Sequence, residues 1–459
     1  MGRVKRWMND LLIKEALWYV DRNPMGNISK ILRVADRLVK LEDHRKVLKA
    51  FYEIAENPDN NWHQLMKRVF SEVNPKTRRL LIRNFFFNSA MTASPEKIEL
   101  RKKYQCNIPW AILMDPTSAC NLKCTGCWAS EYDKQSSLTY EQLDDIIRQG
   151  KELAIYMYIY SGGEPTLRKK DIIALAEKHQ DCFFLAFTNA TLIDRDYARR
   201  LARVGNFALA ISVEGFEKET DMRRGEGTYQ KVMEAMDHLR EEGVGFGFST
   251  CYHRYNTEVV VSDAFVDHLI DKGCMFGWYF TYMPIGKEAK LDFLVTPEQR
   301  KYMYHRIREL RAEKPCFLID FWNDGEFVDG CIAGGRCYLH INAAGDVEPC
   351  AFIHYSNVNI RDVSLLEALQ SPLFQQYRQK QPFNQNHLRP CPCLDNPDRL
   401  KEMVLEAGAR STQAGDGEPV EELTDKCREA ARKWAAVADE LWRESQRQKE
   451  EKEKQRIVS

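Results

Sequence analysis

The stretch IPWAILMDPTSACNLKCTGCW, residues 108–128, joins an apolar run to three closely spaced cysteines. Cys120, Cys124 and Cys127 follow the pattern C-x3-C-x2-C. Iron–sulfur cubanes are usually held by four cysteine thiolates. Three thiolates would leave one iron open to a small molecule, as a catalytic zinc site keeps one position free. A zinc knuckle is the alternative, but it needs a fourth ligand, and no Cys or His follows before His179.

The same apolar run is the first of six strand-like segments that alternate with helix-like segments. The predicted strands are 108–114, 154–160, 182–187, 207–213, 245–250 and 275–281. The predicted helices are 139–153, 170–179, 194–204, 228–242 and 258–272, the first of them beginning at Thr139. Strands that are apolar on both faces are typical of a parallel sheet covered by helices. The pattern predicts an α/β protein with a partial (βα)6 barrel, whose chemistry lies on loops after the strands.

Polar motifs follow the later strands, where such a barrel places its chemistry. The sequence SGGEP at 161–165 follows the second strand, and paired glycines let a backbone approach a ligand closely. Alone this motif is an ordinary turn, but beside the cysteine loop it indicates a site. The others are Thr188 and Asn189 after the third strand, Ser212 and Glu214 after the fourth, and Arg223 and Arg224 beyond them.

With these motifs in this order, residues 106–400 resemble the radical S-adenosylmethionine superfamily. The resemblance implies a 4Fe-4S cluster on the three cysteines, with S-adenosylmethionine (AdoMet) bound to the open iron. It places the methionine amino group at Gly162, Gly163 and Glu164. Similar positions at Thr188 and Asn189 line the cofactor cleft of relatives.

The same resemblance gives roles to the residues after the fourth strand. Ser212 and Glu214 match a ribose and carboxylate motif that often carries Asp in place of Glu214. Arg223 or Arg224 is expected to grip the methionine carboxylate as a bidentate partner. The enzyme class implied is one that reductively cleaves AdoMet and abstracts hydrogen from a substrate through a 5′-deoxyadenosyl radical.

A second cysteine group comprises Cys331, Cys337, Cys350, Cys391 and Cys393. It resembles the auxiliary-cluster extension called SPASM, or its shorter twitch form, and implies one further iron–sulfur cluster. The full extension carries a C-x2-C-x5-C run, whereas this chain has only Cys391-Pro-Cys393. Cys331, Cys350 and Cys391 are the first ligands expected, with Cys337 or Cys393 as the fourth. Structural zinc or unliganded thiols are the alternatives, and Cys427 is among six cysteines predicted to be packing residues.

The segments outside the core differ from it in composition. Residues 1–105 are predicted to be helical and carry 22 Lys or Arg against 12 Asp or Glu. This excess fits an anionic membrane surface, a nucleic acid, an acidic partner or contacts within the chain. The Phe-rich stretch 74–90 either lies on a membrane, covers an apolar cavity or docks on the barrel, the interpretation that we favour.

The predicted organisation is a helical region at 1–105, a core at 106–290, an auxiliary-cluster region at 315–400 and a charged helix at 419–459. Residues 405–418 are predicted to be a linker. No run of 18 apolar residues predicts a membrane span, and the N-terminus does not resemble a secretory signal. The 14 cysteines are then expected to be reduced, in a cytoplasmic protein.

The sequence thus predicts an oxidoreductase or transferase of unidentified substrate. Relatives with auxiliary clusters often modify peptides or proteins, and some act on small molecules or lipids. Residues 1–105 lack the strand signals of a leader-binding winged helix, and their Phe-rich helices keep an apolar substrate open. The partners expected are an electron donor such as flavodoxin or ferredoxin and no nucleic acid, with peripheral membrane contact left open. A non-catalytic iron–sulfur or zinc-binding scaffold is the alternative of another class.

Overall fold

The computed structural model describes residues 3–38 and 42–458 of the chain. The helices are α1 (Arg3–Arg22), α2 (Pro24–Leu38), α3 (Glu42–Glu56), α4 (Asn61–Glu72), α5 (Pro75–Ile82), α6 (Ala93–Tyr104), α7 (Tyr140–Glu152), α8 (Lys169–Lys178), α9 (Arg195–Val204), α10 (Glu217–Arg224), α11 (Thr228–Glu241), α12 (Thr257–Val260), α13 (Asp263–Asp271), α14 (Pro297–Glu313), α15 (Leu365–Leu369), α16 (Pro372–Lys380), α17 (Pro397–Ala407) and α18 (Val420–Val458). The strands are β1 (Ala111–Met114), β2 (Met157–Tyr160), β3 (Phe183–Thr188), β4 (Phe207–Ser212), β5 (Phe246–Tyr252), β6 (Phe276–Thr281), β7 (Phe317–Asp320), β8 (Tyr338–Ile341), β9 (Val347–Glu348), β10 (Tyr355–Ser356) and β11 (Arg410–Ser411).

A single sheet of order β7-β6-β5-β4-β3-β2-β1-β8-β9 forms the core. Strands β1 to β8 are parallel to their neighbours, and only β9 runs antiparallel. This confirms the predicted α/β fold class, and each of the six predicted segments overlaps one of β1 to β6. The domain boundaries stay predictions, since β7 and β8 join this sheet from outside the 106–290 range.

The two faces of the sheet pack against different partners. Tyr158 and Phe184 face the helices, where Leu143 of α7 and Ile172 of α8 belong to the same buried cluster. Side chains at the intervening positions, such as Ile159, point to the opposite face because successive strand residues alternate. That face, called the concave face below, packs against residues of the auxiliary-cluster region such as Ile353 and Leu373.

Helix starts in the core follow the capping signals of the sequence. Thr139 accepts a hydrogen bond from Gln142 N, and the Gln142 side chain accepts one from Thr139 N, which completes a capping box. This confirms the predicted start of α7. The predicted helix at 258–272 is instead divided between α12 and α13, because Ser262 caps a new helix by accepting from Phe265 N.

The N-terminal helices pack on the amino ends of the strands. Asn84, in the π-helical turn Arg83–Thr92 after α5, is fully buried and donates to Gln180 O and Cys182 O. The Phe85 ring lies 5.3 Å from those of Trp110 and Phe183. The Phe-rich stretch therefore docks on the barrel, as we favoured.

Several basic side chains of the N-terminal region bind groups of the same chain. Arg68 donates to the carbonyls of Ile270, Cys274 and Pro315. Arg78 is 4% exposed and pairs with Asp21. Part of the positive charge of residues 1–105 therefore stabilises helix and loop ends rather than an external surface.

The stretch 405–418 is folded and is not the linker that its composition predicted. Arg410 and Ser411 form β11 against β10, and Glu418 is buried. Lys426 of α18 pairs with Glu418 and donates to Gly286 O, which fixes the start of α18 beside the loop after β6. Among the helices of residues 3–38 and 42–458, none combines the length and apolarity needed to cross a membrane.

Candidate active site and auxiliary metal centre

The three cysteines lie on the loop after β1, at the carboxyl edge of the sheet. Cys120 is exposed, while Cys124 and Cys127 are half-buried. Burial raises the pKa of Cys124, and the guanidinium groups of Arg224 and Arg223 oppose that rise. None of the three thiols is in a disulfide. The guanidinium groups of Arg223 and Arg224 lie close enough to offset thiolate charge.

The donor set at this loop differs from that of a single-ion site. Within the described part of the chain, no three His, Cys, Asp or Glu side chains converge as ligands of one ion would. A multi-iron cluster accepts thiolates on different irons, so the three thiols fit that group better.

The Gly-Gly-Glu loop after β2 packs directly on the start of the cysteine loop. Gly163 N donates to Thr117 O at 3.0 Å and Glu164 N to Ala119 O at 2.8 Å. A Cβ on Gly163 would lie 2.0 Å from Ala119 O, and Gly162 has φ +99°. The two glycines are therefore required by contact between the two loops, whatever they also bind.

Replacing Gly163 with Ala should displace the cysteine loop, because the new Cβ has no room beside Ala119 O. We expect a loss of about 1–3 kcal/mol in unfolding free energy, as for other overpacked sites, and a lower iron content after anaerobic reconstitution. Gly408→Ala is the matched control, since no atom lies within 4 Å of its Cβ and only its positive φ opposes the change. Equal iron content in the two variants would contradict this role of Gly163.

Glu164 is buried, and its carboxylate accepts hydrogen bonds from four protein donors. The donors are Thr166 N at 2.9 Å, Thr166 Oγ1 at 2.6 Å, Thr188 Oγ1 at 2.6 Å and Asn189 N at 2.8 Å. Burial raises the pKa of Glu164, and these hydrogen bonds oppose the rise. The carboxylate thus joins the loops after β2 and β3, and its contact with an amino group stays a prediction.

Thr188 and Asn189 connect that carboxylate to the cysteine loop. Thr188 donates to Glu164 and accepts from Ala190 N, so its hydroxyl is fully used. The Asn189 side chain donates to Asn121 Oδ1 at 3.0 Å, and its Nδ2 lies 3.9 Å from Cys120 Sγ. The structure therefore brings both predicted residues to the cysteine loop.

Glu214, after β4, holds both predicted arginines. Its fully buried carboxylate accepts from Arg223 Nη1 at 2.6 Å, Arg224 Nε at 2.8 Å and Cys251 N at 3.0 Å. Burial alone would raise the pKa of Glu214, but Arg223 and Arg224 lower it overall. The carboxylate is thus committed to the arginines, and a ribose contact stays a prediction.

The arginines reach the cysteine loop from that clamp. Arg224 Nη1 lies 3.9 Å from Cys124 Sγ, and Thr125 N donates to Arg223 O at 2.8 Å. Arg223 Nε is buried without a hydrogen-bond partner among residues 3–38 and 42–458. An unused, buried guanidinium N–H beside the cysteine loop fits a site for a ligand carboxylate.

Other residues after the strands have local roles. Ser212 is half-buried at the end of β4. Thr250 donates to Val213 O, and Asn256 donates to Glu214 O, so both hold the loop that carries Glu214. The Tyr282 ring, after β6, occupies the space where a Cβ on Gly126 would lie.

Five cysteines contribute to the large apolar cluster on the inner face of the sheet. Cys331, Cys350, Cys391, Cys393 and Cys427 belong to one cluster of packed side chains. Burial raises the pKa of Cys331 to about 11 and that of Cys350 to about 12. Tyr338 Oη donates to Cys350 Sγ at 2.7 Å. Thiols this buried become thiolates only with a compensating cation, as a metal supplies.

The sequence left the fourth ligand of this group undecided between Cys337 and Cys393. Cys337 precedes β8, and the cations that act on its pKa are Arg336, Arg101 and Lys97. Cys337 also acts on the pKa of Cys331, so it lies near that thiol, on the side where the three cations are found. Cys427 was predicted to be a packing residue, yet its sulfur lies 3.7 Å from that of Cys393. In the sequence, Cys427 stands alone within a helical segment and lacks the spacing of a metal-binding motif.

A buried charged cluster joins the two cysteine regions. His340 lies 2.9 Å from Asp115 Oδ2 and 2.6 Å from Glu348 Oε2. Burial alone would lower the pKa of His340, but the two carboxylates raise it to about 10. Tyr132 donates to Glu348 at 2.7 Å, so residues on either side of the cysteines are held together.

Two family models match the parts of the chain that contain these sites. Residues 114–262 match the family model described as the radical SAM superfamily. Residues 331–395 match a model described as an iron-sulfur cluster-binding domain, SPASM. The first match contains the cysteine loop with Glu164 and Glu214, and the second contains the auxiliary cysteines up to Cys393.

Curated relatives differ in their reactions. Fe-coproporphyrin III synthase of Methanosarcina barkeri is 27% identical over 197 residues, covering 41% of this chain and 49% of that protein. Mycofactocin maturase MftC of Mycolicibacterium smegmatis is 26% identical over 263 residues, covering 53% of this chain and 64% of that protein. The chain thus spans about half to two-thirds of the length of these relatives.

A solved structure supports the fold. Streptococcus suis SuiB, crystallised with bound S-adenosylmethionine, superposes with a TM-score of 0.53 at 18% identity. The superposition covers 65% of this chain and 76% of SuiB. At this identity the likeness establishes the architecture of the sheet and its helices.

Proposed function

We propose that the chain abstracts hydrogen from a substrate after cleaving AdoMet reductively, because residues 114–262 match the radical SAM superfamily and residues 331–395 match the SPASM iron–sulfur domain. The two domains are those of enzymes that bind 4Fe-4S clusters and AdoMet. When bound, the reduced cluster supplies one electron that splits AdoMet into methionine and a 5′-deoxyadenosyl radical, which takes a hydrogen atom from substrate. The protein's own part is binding, orientation and exclusion of water.

One observation supports this proposal most strongly. The loops after β1, β2, β3 and β4 converge through buried contacts of Glu164 and Glu214 with protein donors beside the three free cysteines. Cys120, Cys124 and Cys127 would hold the cluster. Arg223, with an unpaired buried Nε, would receive the methionine carboxylate. A non-catalytic scaffold has no need of an unpaired guanidinium N–H at that place.

The test is formation of 5′-deoxyadenosine by anaerobically reconstituted protein with AdoMet and dithionite. We expect methionine and 5′-deoxyadenosine in equal amounts, even without substrate at a slow rate. Reconstituted, reduced protein that binds AdoMet but yields neither product would favour the scaffold alternative. A flavodoxin or ferredoxin is the electron donor that we expect to replace dithionite.

The auxiliary group is proposed to hold one further cluster on Cys331, Cys350 and Cys391, with Cys393 as the fourth ligand in preference to Cys337. Cys393 lies in the packed group, whereas Cys337 lies beside Arg101 and Arg336. Cys427 is an additional candidate because of its contact with Cys393.

Removing single cysteines should separate these candidates. Cys393→Ala should lower bound iron and sulfide by the content of one cluster, while Cys337→Ala should leave both unchanged. Iron and acid-labile sulfide per chain are the measurements. Loss of a cluster from Cys337→Ala, with none from Cys393→Ala, would reverse the assignment. If Cys427→Ala lowers bound iron and sulfide and Cys393→Ala does not, Cys427 is the ligand of these two contacting thiols.

The substrate does not follow from the names of relatives, which include a porphyrin-acting synthase and a maturase. Peptide or protein modification and modification of a lipid or other apolar molecule both remain proposals. The cytoplasmic location expected from the sequence stays a prediction, as do peripheral membrane contact and the absence of nucleic-acid binding.

A further inference from the structure

We propose that the concave face of the sheet binds an uncharged, aromatic group of the substrate, with Phe187, Trp278 and Phe280 as its contact residues. The inference rests on the proposed function, since it places the substrate at the edge of the sheet where AdoMet would be cleaved. It adds the chemical class of the group that enters there.

The exposure pattern of β6 gives the first argument. Gly277, Tyr279 and Thr281 are buried, whereas Phe276, Trp278 and Phe280 are partly exposed. The space beside Gly277 is filled by the Phe248 ring, which a Cβ would approach to 2.2 Å, so this side of β6 is packed. A filled barrel interior buries its inward side chains. The partly exposed aromatic residues therefore line accessible space on the concave face.

The aromatic residues form a continuous wall between the two cysteine regions. The Phe187 ring lies 5.3 Å from that of Trp278 and 5.6 Å from that of Phe280. Phe280 lies 6.2 Å from Phe352, and Phe352 lies 5.9 Å from Trp128. Trp128 follows Cys127, and Phe352 is two residues after Cys350. A group resting on this wall would lie between the candidate cluster sites.

Charge distribution gives the second argument. The buried cations at this edge already face carboxylates: Arg223 and Arg224 pair with Glu214, and His340 lies between two acidic side chains. A ligand with several carboxylates would need cations that are not committed in this way. The rings of the wall already pair edge-to-face or tilted at 5.3–6.2 Å, and an uncharged aromatic ligand can make the same contacts with them.

The test uses a neutral fluorescent dye, N-phenyl-1-naphthylamine, titrated into the reconstituted protein under nitrogen. We expect saturable binding that weakens about tenfold in the double variant Trp278→Ala/Phe280→Ala, because two ring contacts are lost. Phe327→Ala is the matched control, since this ring is 58% exposed and lies beside the guanidinium groups of Arg308 and Arg311, away from the wall. It should bind the dye like the unchanged protein.

Competition separates the ligand classes. N-acetyl-L-tryptophanamide should displace the dye, while decanol and coproporphyrin III should displace it poorly. Tighter displacement by coproporphyrin III would overturn the uncharged class, and tighter displacement by decanol would overturn the aromatic one. No saturable dye binding, or equal binding by the double variant and the unchanged protein, would overturn the site itself.

Folding is checked by the melting temperature and iron content of each variant. If the double variant has a lower melting temperature or iron content, Phe280→Leu replaces it, because this change keeps most of the side-chain volume and removes one ring. We then expect about two- to fivefold weaker dye binding. Equal affinity in that folded variant would contradict the proposal. Ring-dependent dye binding without any 5′-deoxyadenosine would sustain this site while the proposed function fails, so the two are distinguished.

Discussion

Cys124→Ala should abolish 5′-deoxyadenosine formation. Cys124 is one of only three thiols on the loop after β1, and a cubane cannot spare a ligand when one iron is already left open. The thiol also lies 3.9 Å from Arg224 Nη1, so its loss removes one of the groups beside that cation. We expect the rate to fall to below about 1% of that of the unchanged protein, by analogy with other residues that act as a unit. The measurement is product formation per reconstituted chain.

The control for this result is Cys316→Ala. Cys316 is buried just before β7, and burial raises its pKa to about 12, as for an inert packing thiol. It should retain AdoMet cleavage and bound iron. Should Cys124→Ala cleave AdoMet as fast as Cys316→Ala does, the three-cysteine loop is not the site.

Glu214→Gln should destabilise the fold by about 3–5 kcal/mol, the usual cost of removing one partner from a buried ion pair. Two arginines lose their carboxylate at once, and both are largely buried, with side-chain exposures of 6% and 11%. The amide cannot accept all the donors that Glu214 accepts, and its own N–H would face a guanidinium. Urea unfolding of the reconstituted protein under nitrogen is the measurement.

Glu241→Gln provides the comparison for that prediction. Its partner Arg195 is 51% exposed, and such surface pairs contribute about 0–1 kcal/mol. A loss for Glu214→Gln no larger than that for Glu241→Gln would show that the clamp does not stabilise the fold. The pairing would then be an incidental contact beside the cysteine loop.

The strands of the core could be predicted because each is apolar on both faces and is followed by a polar turn. That β7 and β8 join the core sheet was not predicted, since both lie beyond the six repeated segments and β8 carries the polar His340. His340 is tolerated there because Asp115 and Glu348 neutralise it, and neither contact is visible in a sequence.

The sequence predicted the position of each motif after its strand. It did not predict which hydrogen bonds the side chains of the motifs make. Glu164 and Glu214 are the clearest cases, because long-range donors fill both carboxylates. Cys427 was missed for a similar reason: α18 brings it to Cys393 from 34 residues away. The composition of 405–418 predicted a linker, but this Gly- and Ala-rich segment contains β11 and fixed loops.

Electron paramagnetic resonance of the dithionite-reduced protein, recorded with and without AdoMet, tests the central claim most directly. If the iron left open by Cys120, Cys124 and Cys127 receives AdoMet, its addition should change the signal of a reduced cluster, and the change should be absent in Cys124→Ala. A reduced-cluster signal that AdoMet leaves unaltered in the unchanged protein would contradict the account.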